Sequence, residues 1–366
     1  MKKRIFKRVI SAMLAMLLVF TSIPQSPMVM LAEELTSQSL VTQTVMTEAD
    51  LKAALADASV DVIEIDGVVT LSRSADGKDN VFVIPRDVTI TGGQIILERA
   101  GIILGGDVIF KDIAIYVANP VRNAIFANGY SLTLENVTNE SCPYNMDIFC
   151  GGISDYTGGN PEELPAPGTA ASVTIKGTNY LTGSRSNTSG GNIFAGNLSD
   201  VGYQEADIAN TYSGSASITI ESGASGFGEI YAHGARENRD GGFANEWKPS
   251  AELYKVTGGV RVYLNTCSNI SVHGATGGEN NAAFIYTNKG NGSLCEPVLE
   301  NVSSIELISQ DEATIANLAP VVAGTECVLA TLSIPENTRL SFANMPAEIA
   351  VKDFVGGGTI VFPQGN

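Results

Sequence analysis

LTLENV, residues 132–137, is the stretch on which the fold turns. Its first half alternates apolar and polar positions, the period of a strand with one buried face. Its second half recurs along the chain as ITGG (90–93), FKDI (110–113), LENV (134–137), IKGT (175–178), IESG (220–223), CSNI (267–270) and LENV (299–302). In the fullest copies an apolar residue is followed by a polar one, then Asn or Asp, then a second apolar residue. Asn, Asp and Gly are the residues that tolerate the left-handed backbone region, so the third position predicts a sharp corner with both apolar neighbours turned inward.

The starts of these words lie 20, 24, 41, 45, 47 and 32 residues apart. Steps of 20 to 24 suit one coil of a parallel β-helix, and steps above 40 suit two coils or one coil carrying a long loop. Short β-branched runs fill the intervals, among them VIEI, VFVI, IAIYV and VRVYL. The composition agrees, with 38 Gly, a single Trp and 17% charged residues, which leaves little material for helices. The expected fold is all-β, a right-handed parallel β-helix (solenoid). A pair of β-sandwiches is the alternative, but it calls for two-residue hairpin turns, and only Asn128-Gly129 and Asp66-Gly67 are well placed for those.

One helix is expected ahead of the coils. Thr47-Glu48-Ala49-Asp50 sets a hydroxyl three residues before a carboxylate, and Leu51, Ala54, Leu55 and Ala58 follow at helical spacing, which predicts an N-terminal capping α-helix over 48–58. Upstream, MKKRIFKR and the apolar VISAMLAMLLVF read as a secretory signal peptide over 1–32, then a Ser/Thr/Gln-rich flexible tether over 33–46, with the β-helix domain over 47–366. An uncleaved anchor is the alternative for the leader. Removal of 1–32 leaves 17 basic against 39 acidic residues, a balance of −22 that repels nucleic acid. The expected location is secreted or extracellular, associated with the cell surface, and not integral to the membrane once processed.

A second repeated word reads NAIFANG (123–129), MDIFCGG (146–152), GNIFAGN (191–197), GEIYAHG (228–234) and AAFIYTN (282–288). Read as strands, these place Ile125, Ile148, Ile193, Ile230 and Ile285 in the core and the aromatics Phe126, Phe149, Phe194, Tyr231 and Tyr286 on the outer side. An outer aromatic column either binds sugar rings or is covered by the long polar segments 153–170, 198–214 and 235–255. The only two histidines, His233 and His273, stand in the matching contexts AHGA and VHGA. They are either a sugar or weak metal site or turn residues before glycine. Phe149, Phe194, Tyr231, Tyr286, His233 and His273 are therefore the candidate ligand-binding residues.

The opening TEADLKAALADASVDVIEIDGVVTL (47–71) and VFVIPRDVTITGG (81–93) resembles the pectate lyase-like β-helix domains of secreted and surface proteins of Gram-positive bacteria. That resemblance implies a coil entered from a cap helix, and an adhesive, non-catalytic role. The catalytic motifs of pectate lyases and polygalacturonases are missing: Trp247 is followed by Lys248-Pro249, and Asn265-Thr266 by Cys267 where the hydrolases carry Asp. No catalytic residue and no metal site is assigned, and no cofactor is expected; Ca²⁺ would need carboxylates such as Asp147, Asp155, Asp200, Asp207 and Glu229 stacked on one face. The functional expectation is an adhesin-like module that binds polysaccharide or host glycan. A lyase or glycosidase with a diverged site, and a structural stalk, are the alternatives. Five cysteines, Cys142, Cys150, Cys267, Cys295 and Cys327, leave at least one thiol unpaired, and Cys142 with Cys150 could close a short disulfide loop.

Overall fold

A computed structural model describes residues 39–72, 80–118, 124–138, 142, 144–154, 164–181, 191–199, 211–221, 223–238, 246–249, 255–265, 270–274, 282–286, 297–308, 312–319, 327–345 and 348–363. Helix makes up only 4% of the described residues, and the rest of their regular structure is strand. The unit Thr42–Asn366 is a parallel β-solenoid.

Sheet 1 holds 12 strands, from Thr42–Val45 to Ile349–Gly356, and sheet 2 holds 11, from Asn80–Ile84 to Thr359–Val361. In both, each strand pairs in parallel with the strand one coil away, and the one pair of consecutive strands among them, Thr42–Val45 with Val62–Ile65, is joined through the helix. A short third sheet is built by Val68–Ser72, Gln94–Glu98 and Ala114–Val117. Sheet 4 is an added layer of four strands, Ile153–Ser154, Leu198–Ser199, Ala235–Asn238 and the antiparallel Glu246–Pro249.

Register explains why stacking is favourable. Ile63, Ile90, Phe110, Leu134, Ile175, Ile220 and Leu264 succeed one another along sheet 1, each 0% exposed. Ile102, Ile125, Ile148, Ile193, Ile230, Val272, Leu299 and Leu318 do the same along sheet 2, at 0 to 1%. No single coil encloses these side chains; each is sealed by the rungs above and below, at about 1.5–3 kcal/mol for each large apolar side chain. A one-residue slip would turn a whole row to the outside.

The corners follow the repeated word. Its third residue has positive φ at Gly92 (75°), Asp112 (49°), Asn136 (54°), Gly177 (62°) and Asn301 (55°), while Ser222 and Asn269 lie outside the described residues. Side chains there also tie one coil to the next: Asn136 Nδ2 donates to Asp112 Oδ1 at 2.8 Å, and Asn136 Oδ1 accepts from Thr178 N at 3.1 Å. Leu134 pairs directly with Ile175 and Ile175 with Ile220, so the steps of 41 and 45 residues are each one coil with an excursion, not two coils.

Helix α1 (Glu48–Ala56) begins at Thr47, whose hydroxyl accepts Asp50 N–H at 3.1 Å while Asp50 Oδ2 accepts Thr47 N–H at 3.1 Å. It ends before Ala58, because the Asp57 carboxylate takes both the backbone N–H (2.9 Å) and the hydroxyl (2.7 Å) of Ser59. Leu51, Ala54 and Leu55 are buried in the main core. Arg86, from the next coil, donates to the carbonyls of Ala54 and Leu55 at 2.9 Å each.

Among the described residues no helix is long and apolar enough to cross a membrane. Cys142 and Cys150 are both buried and are not joined to each other. Cys142 Sγ contacts the backbone of Val117, 3.0 Å from its carbonyl oxygen, and burial pushes the Cys150 thiol well above its ordinary range.

Candidate functional site

Four of the five Ile-aromatic words stack in one column on sheet 2. Phe126, Phe149, Phe194 and Tyr231 occupy successive rungs, with ring centroids 5.4, 4.7 and 5.1 Å apart and interplanar angles of 23°, 10° and 12°. Strand alternation turns the isoleucines into the coil and the aromatics out of it. Yet Phe126, Phe149 and Phe194 are 0, 0 and 1% exposed, because a second apolar cluster forms around them from Leu198, Ala235, Ile153 and Leu164.

The cover is made by sheet 4, and the sequence folds it there by means of small residues. After three of the four aromatic strands, those of Phe149, Phe194 and Tyr231, comes a tight turn, Cys150-Gly151-Gly152, Ala195-Gly196-Asn197 or Ala232-His233-Gly234, and then a strand of sheet 4. Successive turns touch: a Cβ on Gly196 would stand 2.5 Å from Gly234 N, and Asn197 Oδ1 accepts Gly152 N–H at 2.9 Å. Phe149 and Phe194 therefore pack, and neither face of either ring is open to a sugar.

Tyr286 leaves the column altogether. Its strand, Ala282–Tyr286, lies in sheet 1, where Tyr286 stands at the register position of Leu264 and Leu307. The phase of that word is also reversed: Phe284 belongs to the main core, and Ile285 pairs with Tyr263 and Glu306 on the other side. The sequence carried a signal of this, because AAFIYTN alone has a large apolar residue, Phe284, before its isoleucine.

His273 takes the place where a fifth aromatic was expected. It pairs with Tyr231 and stacks on it at 4.8 Å and 16°. The two histidines, despite their matching contexts, are not register partners. His233 sits at the turn, 5% exposed, edge-on to Tyr231 at 5.7 Å and 60°, and donates from Nδ1 to Gly234 O at 2.9 Å. Burial holds His233 below the usual histidine range.

Here the column becomes polar and half-exposed. The Tyr231 hydroxyl donates to Glu229 Oε2, and burial followed by that bond drives the phenol above its ordinary range. His273 Nδ1 donates to Glu300 Oε2 at 2.8 Å, and Nε2 lies 3.4 Å from Glu229 Oε2, too long for a normal hydrogen bond. The side chains of His273, Glu229 and Glu300 are 24, 29 and 41% exposed. Glu229 and Glu300 thus bracket one imidazole, hydrogen-bonded to Glu300 alone, in a cluster that sequence reading did not assemble. Asp147 stands elsewhere on this face, 7% exposed, its Oδ1 accepting Asn192 N–H at 2.8 Å. Among the described residues no three His, Cys, Asp or Glu side chains converge to hold a metal ion. Asp155, Asp200 and Asp207 lie outside the described residues.

The outer face of sheet 1 is different. Ser131, Ser172 and Ser217 form one stacked row and Thr133, Thr174 and Thr219 a second, all half-buried. Beside the first of these rungs lies an open groove of about 400 Å³, lined by Asp61, Asp87, Asp107, Thr89, Ile109, Ser131 and Thr133 together with Val88 and Val108. Asp87 Oδ1 accepts Asp107 N–H at 2.7 Å and Asp107 Oδ1 accepts Ser131 N–H at 2.8 Å, so both carboxylates are oriented by the neighbouring rung. Each such bond uses a fraction of a carboxylate's acceptor capacity. Ile109, 39% exposed, adds an apolar strip. The repeated opening DVIEI (61–65), DVTI (87–90) and DVIF (107–110) was the available sequence signal for these residues.

Compared with known proteins, the chain matches no family model, no curated protein and no solved structure.

Proposed function

We propose that the chain is a secreted or cell-surface β-solenoid, adhesin-like, that binds neutral glycan along the outer face of sheet 1 without catalysis. The groove at Asp87 and Asp107 carries this reading. It combines oriented carboxylates, which accept pairs of sugar hydroxyls, with the hydroxyls of Thr89, Ser131 and Thr133 and the apolar strip at Ile109. Carboxylates on the wall and an excess of 39 acidic over 22 basic residues disfavour uronic-acid polymers, so the class supported is neutral or amine-bearing sugar.

The finer points of the reading belong with it. The coil is taken as right-handed, the hand that parallel crossover connections almost always adopt. α1 is taken as the plug of the first coil, since it buries Leu51, Ala54 and Leu55 in the main core. The basic and apolar leader is taken as an export signal. The likeness of residues 47–93 to Gram-positive surface domains supports adhesion over transport or regulation.

A second reading has its own observation. Glu229 and Glu300 bracketing His273 beside Tyr231 supply the paired carboxylates of a diverged glycosidase or lyase. Calorimetric titration with neutral oligosaccharides and with oligogalacturonate, alongside a product assay with and without Ca²⁺, separates the readings. Binding of a neutral sugar without turnover is expected. Turnover abolished by His273→Ala would replace the binding module with an enzyme, tighter binding of oligogalacturonate would sink the charge argument, and silence in both assays would leave a stalk.

A further inference from the structure

Strand Ile349–Gly356 ends the order of sheet 1, with Cys327–Ile334 on one side and no strand on the other among the described residues. Its register gives the direction of its side chains, because parallel partners share a face. Val351 continues the column of Leu329 and Phe354 that of Leu332, which are 0 and 2% exposed. On the last rung the same columns open to solvent: Val351 is half-buried and Phe354 is 47% exposed. Between them stand Lys352 and Asp353, both exposed, Asp353 at the register position of Thr331 and Lys352 at the one position where the ladder is interrupted.

We infer that two copies of the chain join tail to tail, each pairing this strand antiparallel with its counterpart about the midpoint between Lys352 and Asp353. In that register Lys352 faces Asp353 of the second copy, and the same pair forms again by symmetry. Val351 faces Phe354 of the second copy, inward position against inward position, and Ala350 faces Val355, outward against outward. No adjacent register does this. A shift in one direction sets Lys352 against Lys352, and a shift in the other sets Asp353 against Asp353, while each turns Val351 toward an outward residue. A lone edge lysine is a device against strand pairing, and here the neighbouring aspartate converts it into a self-complementary mark. Apolar burial of Val351, Phe354 and Val355, the last 45% exposed, and completion of the strand's unpaired backbone groups drive the association. The inference is independent of the glycan reading.

Sedimentation velocity on the full chain from low to high micromolar concentration tests it. The wild type is expected to shift from monomer to dimer, K352D to remain monomeric, and the charge-swapped K352D/D353K double variant to dimerise again, all with the same thermal melting at the low concentration where each is monomeric. Hydrogen exchange should show amides of Ile349–Gly356 gaining protection with concentration in the wild type and not in K352D. A wild type that stays monomeric, a K352D variant that dimerises as well as the wild type, a double variant that stays monomeric, or full protection of these amides in the monomer would each overturn the inference.

Discussion

The two broad outer faces of this solenoid obey the same alternation and end in opposite states. On sheet 2 the outward column is Phe126, Phe149 and Phe194, at most 1% exposed under sheet 4. On sheet 1 the outward rows are Ser131, Ser172 and Ser217 with Thr133, Thr174 and Thr219, all half-buried and bordering an open groove. Period two tells inside from outside of the coil, and outside is not the same as solvent. The side-chain chemistry of the outer column decides which state is stable: stacked rings left wet would forgo burial that an added layer supplies, whereas hydroxyls lose nothing in water.

The comparison can be broken most directly at Phe194. Phe194→Ala should cost about 3–5 kcal/mol in chemical denaturation, as a buried aromatic does when its cavity cannot collapse. A loss below about 1 kcal/mol would mean that sheet 4 is a loose flap and not a packed layer. Next in size is the turn that turns the chain into sheet 4: Gly196→Ala forces a Cβ to within 2.5 Å of Gly234 N and should cost about 1–3 kcal/mol.

On the open face the expected effect is on binding. Asp87→Asn combined with Asp107→Asn should weaken a neutral oligosaccharide about tenfold, ~1.4 kcal/mol, with the melting temperature held. Equal weakening from His273→Ala would move the site to the other face.

A smaller effect concerns pH. Burial lowers the pKa of His233 in the folded state below the 6.5 of the unfolded chain, so the unfolded state binds the proton first. Stability due to the neutral ring is present above that value and is lost as pH falls through it toward the folded pKa. The wild type should therefore destabilise on acidification below about 6.5, and His233→Gln should flatten that slope in denaturation curves collected across the window. The smallest change is expected on the hydroxyl rows: Ser172→Ala and Thr174→Val should each stay within about 0.5 kcal/mol of the wild type. A larger loss there would mean that this face is covered too.

Legibility in the sequence followed the range of the forces involved. The corners were readable because positive φ is a local steric matter: Asp112, Asn136 and Asn301 stand where Asn or Asp is the residue that tolerates it. The inward rows were readable because Ile125, Ile148, Ile193 and Ile230 recur in the same phase of the same word. The site was much less so. His233 and His273 share flanking residues but not register, since the excursion between them shifts the count. Glu229 and Glu300 meet around His273 only because three coils stack, and Asp87 and Asp107 line a groove only because their rungs are adjacent.

That this chain coils, where its coils turn, and which residues of the four in-phase Ile-aromatic strands face the axis are written in the sequence, because bend and alternation are properties of a residue and its immediate neighbours. Tertiary structure alone decided that each step of 41 or 45 residues is one coil with an excursion, that Tyr286 lies in sheet 1, and that three phenylalanines on the outside of the wall are dry. Those outcomes rest on the competition between water and distant segments for the same apolar surface, and no local pattern encodes the winner.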